Sequence, residues 1–231
     1  MTSLTILLFL GIFLFFGCKV DGKEMAPHYK LYYFESRGLG EVSRQLFALA
    51  KVEYENIRIP KDQWPTLKNE TPFGQVPVLE VDGVKIPQSL AIARYLARKF
   101  GYAGETPEEE ALVDAFADQF KDFYVQIHDF YYRAGGFEQG DVEEAKNRAL
   151  IPARDKFLPL LTKFLRKSNS GFLVDSGLTY ADLIIVDNMT SIIGWYPEYL
   201  QNYPEIQAWY EKVVNVPAIK SEIENRPKTN A

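Results

Sequence analysis

The segment from Val76 to Leu96 constrains this chain most. It runs Val76-Pro77, then Val78–Val81, then Asp82-Gly83, then Val84–Pro87, and then Gln88 and Ser89 open the apolar-periodic stretch to Leu96. Asp-Gly between two short strand-like runs is the signature of a two-residue hairpin turn. The stretch therefore reads strand, turn, strand, helix, which rules out an all-helical start. A helix N-terminus presents unpaired N–H groups and a partial positive charge. Ser89 adds a hydroxyl there, and the combination is a ready anion pocket. Beside the constrained Val76-Pro77 backbone it suits a small, charged, peptide-like ligand.

The elements before this segment extend the α/β pattern. Lys30–Phe34 reads as an aromatic strand and Ser36–Gly40 as a loop. Glu41–Lys51 carries Val42, Leu46, Leu49 and Ala50 at helical spacing, and Glu53–Arg58 alternates as a strand. Lys61–Asn69 is a polar helical or irregular piece holding Trp64. Ser89–Phe100 ends at Gly101, a helix stop signal. From Glu108 onward the pattern is helical. Pro107 and three glutamates open a helix with the stripe Leu112, Phe116, Phe120, Phe123, Tyr124, Ile127, which Gly135-Gly136 interrupts. Val142–Lys167 reads as one long helical region with Pro152 and Pro159 as kink points. Thr179-Tyr180-Ala181-Asp182 has capping-box spacing, with Leu178 and Leu183 placed as a hydrophobic staple. A last helix covers about Pro204–Asn215, and Pro217 and Pro227 punctuate the tail. The expected architecture is an α/β domain over residues 28–103 and an all-helical domain over 106–231.

Composition is globular, with 47% hydrophobic and 25% charged residues, and the net charge is −5. An acidic chain offers no electrostatic case for nucleic acid or an anionic membrane as partner. Leu4–Phe16 is an uncharged apolar run at the extreme N-terminus. It is shorter than the roughly 20 residues that span a bilayer. With small residues after it, it reads as a secretory signal peptide over residues 1–22, cleaved after Gly22, with no stable membrane span left afterwards. An uncleaved anchor is the competing reading. Cleavage would remove Cys18, the single cysteine, leaving no thiol nucleophile or disulfide. With two histidines, a metal centre or a Ser-His-Asp triad is not expected. Asn69-Glu70-Thr71 and Asn188-Met189-Thr190 are glycosylation sequons. Asn69 lies in a polar loop. Asn188 lies in an apolar helical run and is expected to be partly buried and unmodified.

The stretches YKLYYFESRGLGEVSRQLFA, KDQWPTLKNETPFGQVPVLEVDGVKIPQSLAIARYLARKFG and LTYADL, in that order, resemble the sigma-class glutathione transferases. That class includes glutathione-dependent prostaglandin D synthases and lens crystallin relatives. The resemblance covers about residues 28–231, and the secretory run places the chain nearest the secreted worm-type branch. It implies a thioredoxin-like glutathione-binding domain, an all-α domain behind it, and a homodimer. It also implies a cis bond before Pro77 and a hydrophobic second-substrate pocket between the domains.

The chemistry the resemblance implies is thiol activation. A thiol with a pKa near 8.5 is mostly protonated at neutral pH, and only its thiolate attacks well. A tyrosine hydroxyl donating a hydrogen bond to sulfur stabilises the thiolate without being a reactive base. Tyr33, at the end of the first strand, matches the catalytic tyrosine, and the neighbouring Tyr32 should face the other way. Gln88 and Ser89 match the positions that hold the γ-glutamyl carboxylate, and Val76 the one whose backbone pairs with the cysteinyl unit. Trp64 and Lys68 match the positions around the glycyl carboxylate, with Gln75 at the same end. Asp122 matches the residue that reaches the glutamyl amine from the other subunit. Phe34 and Leu39 are assigned to the second-substrate pocket. The cluster Tyr124, Phe130, Tyr131 and Tyr132 could line it too, but aromatic stripes are usually core. Leu39 stands where vertebrate prostaglandin synthase members carry arginine, and Asp129 where they carry tryptophan. Arg37 is read as structural or electrostatic and Asp182 as a helix cap. Three activities follow as alternatives: conjugation of glutathione to apolar electrophiles, isomerisation of prostaglandin H to D, and non-catalytic binding of glutathione or hydrophobic ligands. No metal is required by any of them.

Overall fold

A computed structural model describes residues 26–229. The expected signal segment and Cys18 lie outside the described residues. The first unit is a four-stranded sheet in the order β2-β1-β3-β4. β1 (Tyr29–Phe34) pairs in parallel with β2 (Glu55–Ile59), and α1 (Glu41–Ala50) makes the crossover. β3 (Val78–Val81) runs antiparallel to both β1 and β4 (Val84–Pro87). The turn between β3 and β4 places Asp82 at φ 48° and Gly83 at φ 87°. Two consecutive positive φ values are what a two-residue hairpin needs, and Asp and Gly tolerate them. α2 (Trp64–Leu67) is a single turn, followed by a 3-10 turn at Lys68–Glu70. α3 (Ser89–Phe100) ends at Gly101, which takes the left-handed conformation at φ 83°.

The sheet face toward α1 and α3 carries the core. Leu31, Leu46, Leu79, Ile92 and Leu96 are fully buried. Tyr29 meets Phe47 edge-on at 5.2 Å, and Phe47 stacks on Tyr54 at 4.2 Å. That stack explains why β2 starts two residues later than its alternation suggests. Lys51 turns left-handed after α1, Tyr54 turns in against Phe47, and ladder pairing begins with Lys30 opposite Glu55.

The second unit is helical. α4 (Pro107–Gln126) is capped by Thr106, whose hydroxyl accepts from the Glu109 N–H at 3.1 Å. α5 (His128–Ala134) follows after a break at Ile127. The region read as one helix from 142 to 167 is three pieces: α6 (Val142–Ala145), a π-helical turn over Lys146–Leu150, and α7 (Ile151–Leu165). Pro152 has no N–H and its ring crowds the carbonyl four residues back, so the chain widens to a π turn just before it. Pro159 sits inside α7. α8 (Tyr180–Trp195) is buried along most of its length and forms the centre of this unit. The Asp182 carboxylate accepts the backbone N–H groups of Thr179 (2.8 Å) and Leu173 (3.0 Å) and the Trp209 indole N–H (2.9 Å). α9 (Pro204–Val214) matches the last expected helix. Pro217, read from the sequence as punctuation in the tail, opens a further helix, α10 (Pro217–Asn225). A proline at the first helical turn loses no intrahelical bond. α10 packs on α1, and α8 also packs on α1, so the two units share one continuous core. Among the described residues, no helix is long and apolar enough to cross a membrane.

Candidate active site

Tyr33 lies at the C-terminal end of β1, where open α/β sheets place ligands. Along β1, Tyr29, Leu31 and Tyr33 are buried while Lys30, Tyr32 and Phe34 are half-buried, so Tyr32 and Tyr33 do face opposite ways. The Tyr32 hydroxyl instead donates to Glu80 at 3.2 Å. The Tyr33 oxygen accepts the Leu39 backbone N–H at 3.0 Å. That bond leaves the Tyr33 O–H proton able to donate elsewhere. Burial pushes the Tyr33 hydroxyl up to about 12, against the opposing pull of the Leu39 N–H and the Arg44 guanidinium. Tyr33 is therefore a neutral hydrogen-bond donor at physiological pH. The loop that presents Leu39 is tight around the ring. A Cβ at Gly40 would stand 2.7 Å from the Tyr33 ring, and one at Gly38 would stand 2.5 Å from its hydroxyl.

A cavity of about 690 Å³ opens beside Tyr33 between the two units. Its volume lies in the range of small-molecule sites. One wall is Tyr33, Phe34 and Trp64, with Phe34 and Trp64 packed edge-on at 5.3 Å. The facing wall is Tyr124, Tyr131, Tyr132 and Phe137. Lys61 and Asp62 stand at its edge, with the Lys61 ammonium 5.8 Å from the Phe137 ring. Thus three of the four second-unit aromatics from the sequence face the cavity, whereas Phe130 is fully buried in the core. Leu39 is placed differently from the sequence expectation. It lines a much smaller adjoining void with Val42, Phe120 and Ile184, because its backbone turns toward Tyr33.

The remaining expected contacts group around the start of β3 and α3. The Val76-Pro77 bond is cis. Gln88 precedes α3 with φ 76° and ψ 119°, a conformation that costs a non-glycine residue roughly 1–3 kcal/mol. Its amide donates to the Gln75 side-chain oxygen at 3.2 Å, joining two expected ligand residues. Ser89 begins α3. Lys68 is exposed and its stem packs against Gly74, beside Gln75. Asp122 is exposed on α4, one turn after Asp118, which pairs with Arg94 at 2.5 Å. Asn69 is exposed; Asn188 is 6% exposed inside α8, more deeply buried than expected. Among the described residues no group of His, Cys, Asp and Glu has the arrangement of a metal site.

Comparison with known proteins bears directly on this geometry. Residues 29–98 match the glutathione S-transferase N-terminal domain, and residues 108–226 match the glutathione S-transferase C-terminal domain. The chain belongs to the glutathione S-transferase family. It is a glutathione transferase enzyme, with a thioredoxin-like first domain and a helical second one. Glutathione S-transferase 1 of Ascaris suum is 48% identical over 203 residues, which is 88% of this chain and 98% of the relative. The crystal structure of monomeric Na-GST-3 from Necator americanus is 51% identical with a TM-score of 0.85, covering 87% of this chain and 98% of that one. A Nu-class transferase from Haemonchus contortus is 45% identical with a TM-score of 0.82, covering 89% and 100%. A prostaglandin synthase D of Nilaparvata lugens is 35% identical with a TM-score of 0.78, covering 87% and 100%.

Proposed function

We propose that this transferase conjugates glutathione to flat, apolar electrophiles held in the aromatic cavity. The observation that carries the reading is the Tyr33 hydroxyl. It accepts from Leu39 and borders the 690 Å³ cavity, so its proton can point at a sulfur placed there. Glutathione binds with its γ-glutamyl carboxylate at the α3 N-terminus, on Ser89 and Gln88, and its cysteinyl backbone along Val76. Trp64, Lys68 and Gln75 take the glycyl end. Tyr33 donates to the sulfur, and the thiol proton leaves to solvent. The thiolate then attacks the electrophilic carbon, forming a C–S bond as the leaving group departs. Phe34 and the facing tyrosines supply the apolar surface and exclude water. Turnover against a panel of electrophiles with glutathione tests this reading, and no conjugation with any of them would refute it.

Isomerisation of prostaglandin H to D is the second reading, favoured by the likeness to the insect prostaglandin synthase. It uses the same thiolate. Leu39 and Asp129 stand in place of the expected arginine and tryptophan, and this weighs toward conjugation. Offering prostaglandin H to the same preparation separates the two. Simple ligand binding without turnover is the third reading, and the Tyr33 arrangement weighs against it.

The finer placement is sigma-class and secreted, with residues 1–22 as a cleaved signal peptide, residues 28–103 and 106–231 as the two domains, and Asn69 as the glycan acceptor. The uncharged apolar run Leu4–Phe16, followed by small residues, is what supports the signal reading. Sequencing the mature N-terminus decides it. A homodimer in which Asp122 reaches the partner's glutathione is also proposed. Sedimentation of the purified protein tests it.

A further inference from the structure

Five charged side chains meet behind Tyr33, where the two domains and the C-terminal segment join. Glu41 of α1 is fully buried, and so is Arg44 one turn later. Arg44 Nη1 donates to Glu41 Oε2 at 2.8 Å and to the Ser36 and Arg37 carbonyls at 3.1 and 3.4 Å. Those carbonyls belong to the loop that delivers the Leu39 N–H to Tyr33. The Arg44 guanidinium also lies 5.8 Å from the Tyr33 ring centre. The other Glu41 oxygen accepts from Arg226 at 2.6 Å, and Arg226 sits just past α10. The same Arg226 nitrogen reaches Asp187 of α8 at 3.3 Å, and Arg37 pairs with that Asp187 oxygen at 3.2 Å. Three guanidinium groups thus face two carboxylates, a surplus of one positive charge. Glu222, Tyr54 and Arg58 are the other ionisable groups around Glu41 and Arg44.

From this chain of contacts, and resting on the assignment of Tyr33 above, we infer that Arg226 is a positioning residue for thiolate formation. It anchors Glu41, Glu41 anchors Arg44, and Arg44 holds the β1–α1 loop so that Leu39 stays bonded to the Tyr33 oxygen. Burial disfavours the Glu41 charge, and Arg226 and Arg44 together overcome that and hold its carboxyl below the usual range. Without Arg226, Glu41 is half-neutralised, Arg44 is free to follow it, and the surplus positive charge near Tyr33 is lost. The effect should reach the sulfur and not the glutathione-binding residues at the start of α3.

The test is Arg226→Gln, with the thiol pKa of bound glutathione read from thiolate absorbance and from the pH profile of kcat/KM. The expected result is a rise of about half to one unit. That is a fall of about threefold to tenfold in kcat/KM at neutral pH, recovered as pH rises, with KM for glutathione nearly unchanged. Arg226→Gln combined with Asp187→Asn removes one charge of each sign and guards against a variant that fails to fold. It restores the surplus of one positive charge, so it should show only the part of the rise that comes from Glu41 lacking its anchor. A wild-type thiol pKa in either folded variant overturns the inference, whatever the melting temperature does. Tyr33→Phe is measured alongside. If that variant shifts the thiol pKa and the Arg226 variants do not, only the inference about Arg226 fails. If Tyr33→Phe shifts nothing, the site assignment itself fails.

Discussion

Replacing Tyr33 by phenylalanine removes one oxygen and leaves the ring in place between Gly38, Gly40 and Arg44. Two bonds are lost: the one Tyr33 would donate to sulfur, and the one it accepts from Leu39 at 3.0 Å. The first is a hydrogen bond to a charged group, worth about 1.5–3 kcal/mol. At about 1.4 kcal/mol per unit, the thiol pKa of bound glutathione should rise by about one to two units. At neutral pH the thiolate fraction, and with it kcat/KM, should fall about tenfold to hundredfold. KM for glutathione should change little, since in the proposed binding mode the peptide is held at Ser89 and Gln88. The second loss leaves the Leu39 N–H without its acceptor, a cost of about 1–3 kcal/mol in stability if nothing replaces it. The assay is kcat/KM against pH for both proteins with one electrophile, alongside the thiolate absorbance of the glutathione complex. The two profiles should converge at high pH, where glutathione ionises unaided. An unchanged thiol pKa, or a deficit that stays constant across pH, would refute the reasoning.

Other outcomes follow from the same structure. Because burial pushes the Tyr33 hydroxyl from 10.0 to about 12, the rising limb of the wild-type profile should belong to glutathione alone, with no loss from Tyr33 ionisation until pH nears that value. The sign for stability is that the unfolded phenol ionises first, so Tyr33's contribution is complete below pH 10 and is lost as pH rises toward about 12. Ser89→Ala should raise KM for glutathione by about tenfold or less, one hydrogen bond to a carboxylate being replaced in part by the α3 backbone, while the thiol pKa stays put. Asp182→Ala strips the acceptor from four buried donors, the Thr179 hydroxyl among them, and should cost at least about 3 kcal/mol in urea unfolding. A cost under about 1 kcal/mol would show that those donors find other partners. Leu46→Ala, fully buried under the sheet, should cost about 2–5 kcal/mol by the same measurement.

Much of the first domain was legible because its signals are local. Asp82-Gly83 needs two positive φ values and has the residues for them, so both strands of the hairpin fall where the sequence puts them. Ser89 and Gly101 mark both ends of α3 in the same way. The second domain was legible as helices but not in its joints. The π turn before Pro152 satisfies a steric clash one turn away, and nothing in the periodicity announces it. Pro217 reads as punctuation in isolation, although it opens α10. The cavity wall was harder still. Phe130 and Tyr131 are neighbours on α5, yet one is core and the other faces the cavity, and periodicity alone does not separate a core stripe from a pocket wall. The Leu39 N–H bonds the Tyr33 oxygen while its side chain lines the small adjoining void, a split that residue type alone does not announce. The Arg37–Asp187 pair spans 150 positions, beyond any local pattern.

The most direct test of the central claim is a crystal structure of the protein with reduced glutathione bound. The account predicts the sulfur within hydrogen-bonding distance of the Tyr33 hydroxyl, facing the aromatic cavity, with the γ-glutamyl carboxylate on the Ser89 N–H and hydroxyl at the start of α3. A sulfur held by another group, or a glutamyl end away from Ser89, would contradict it.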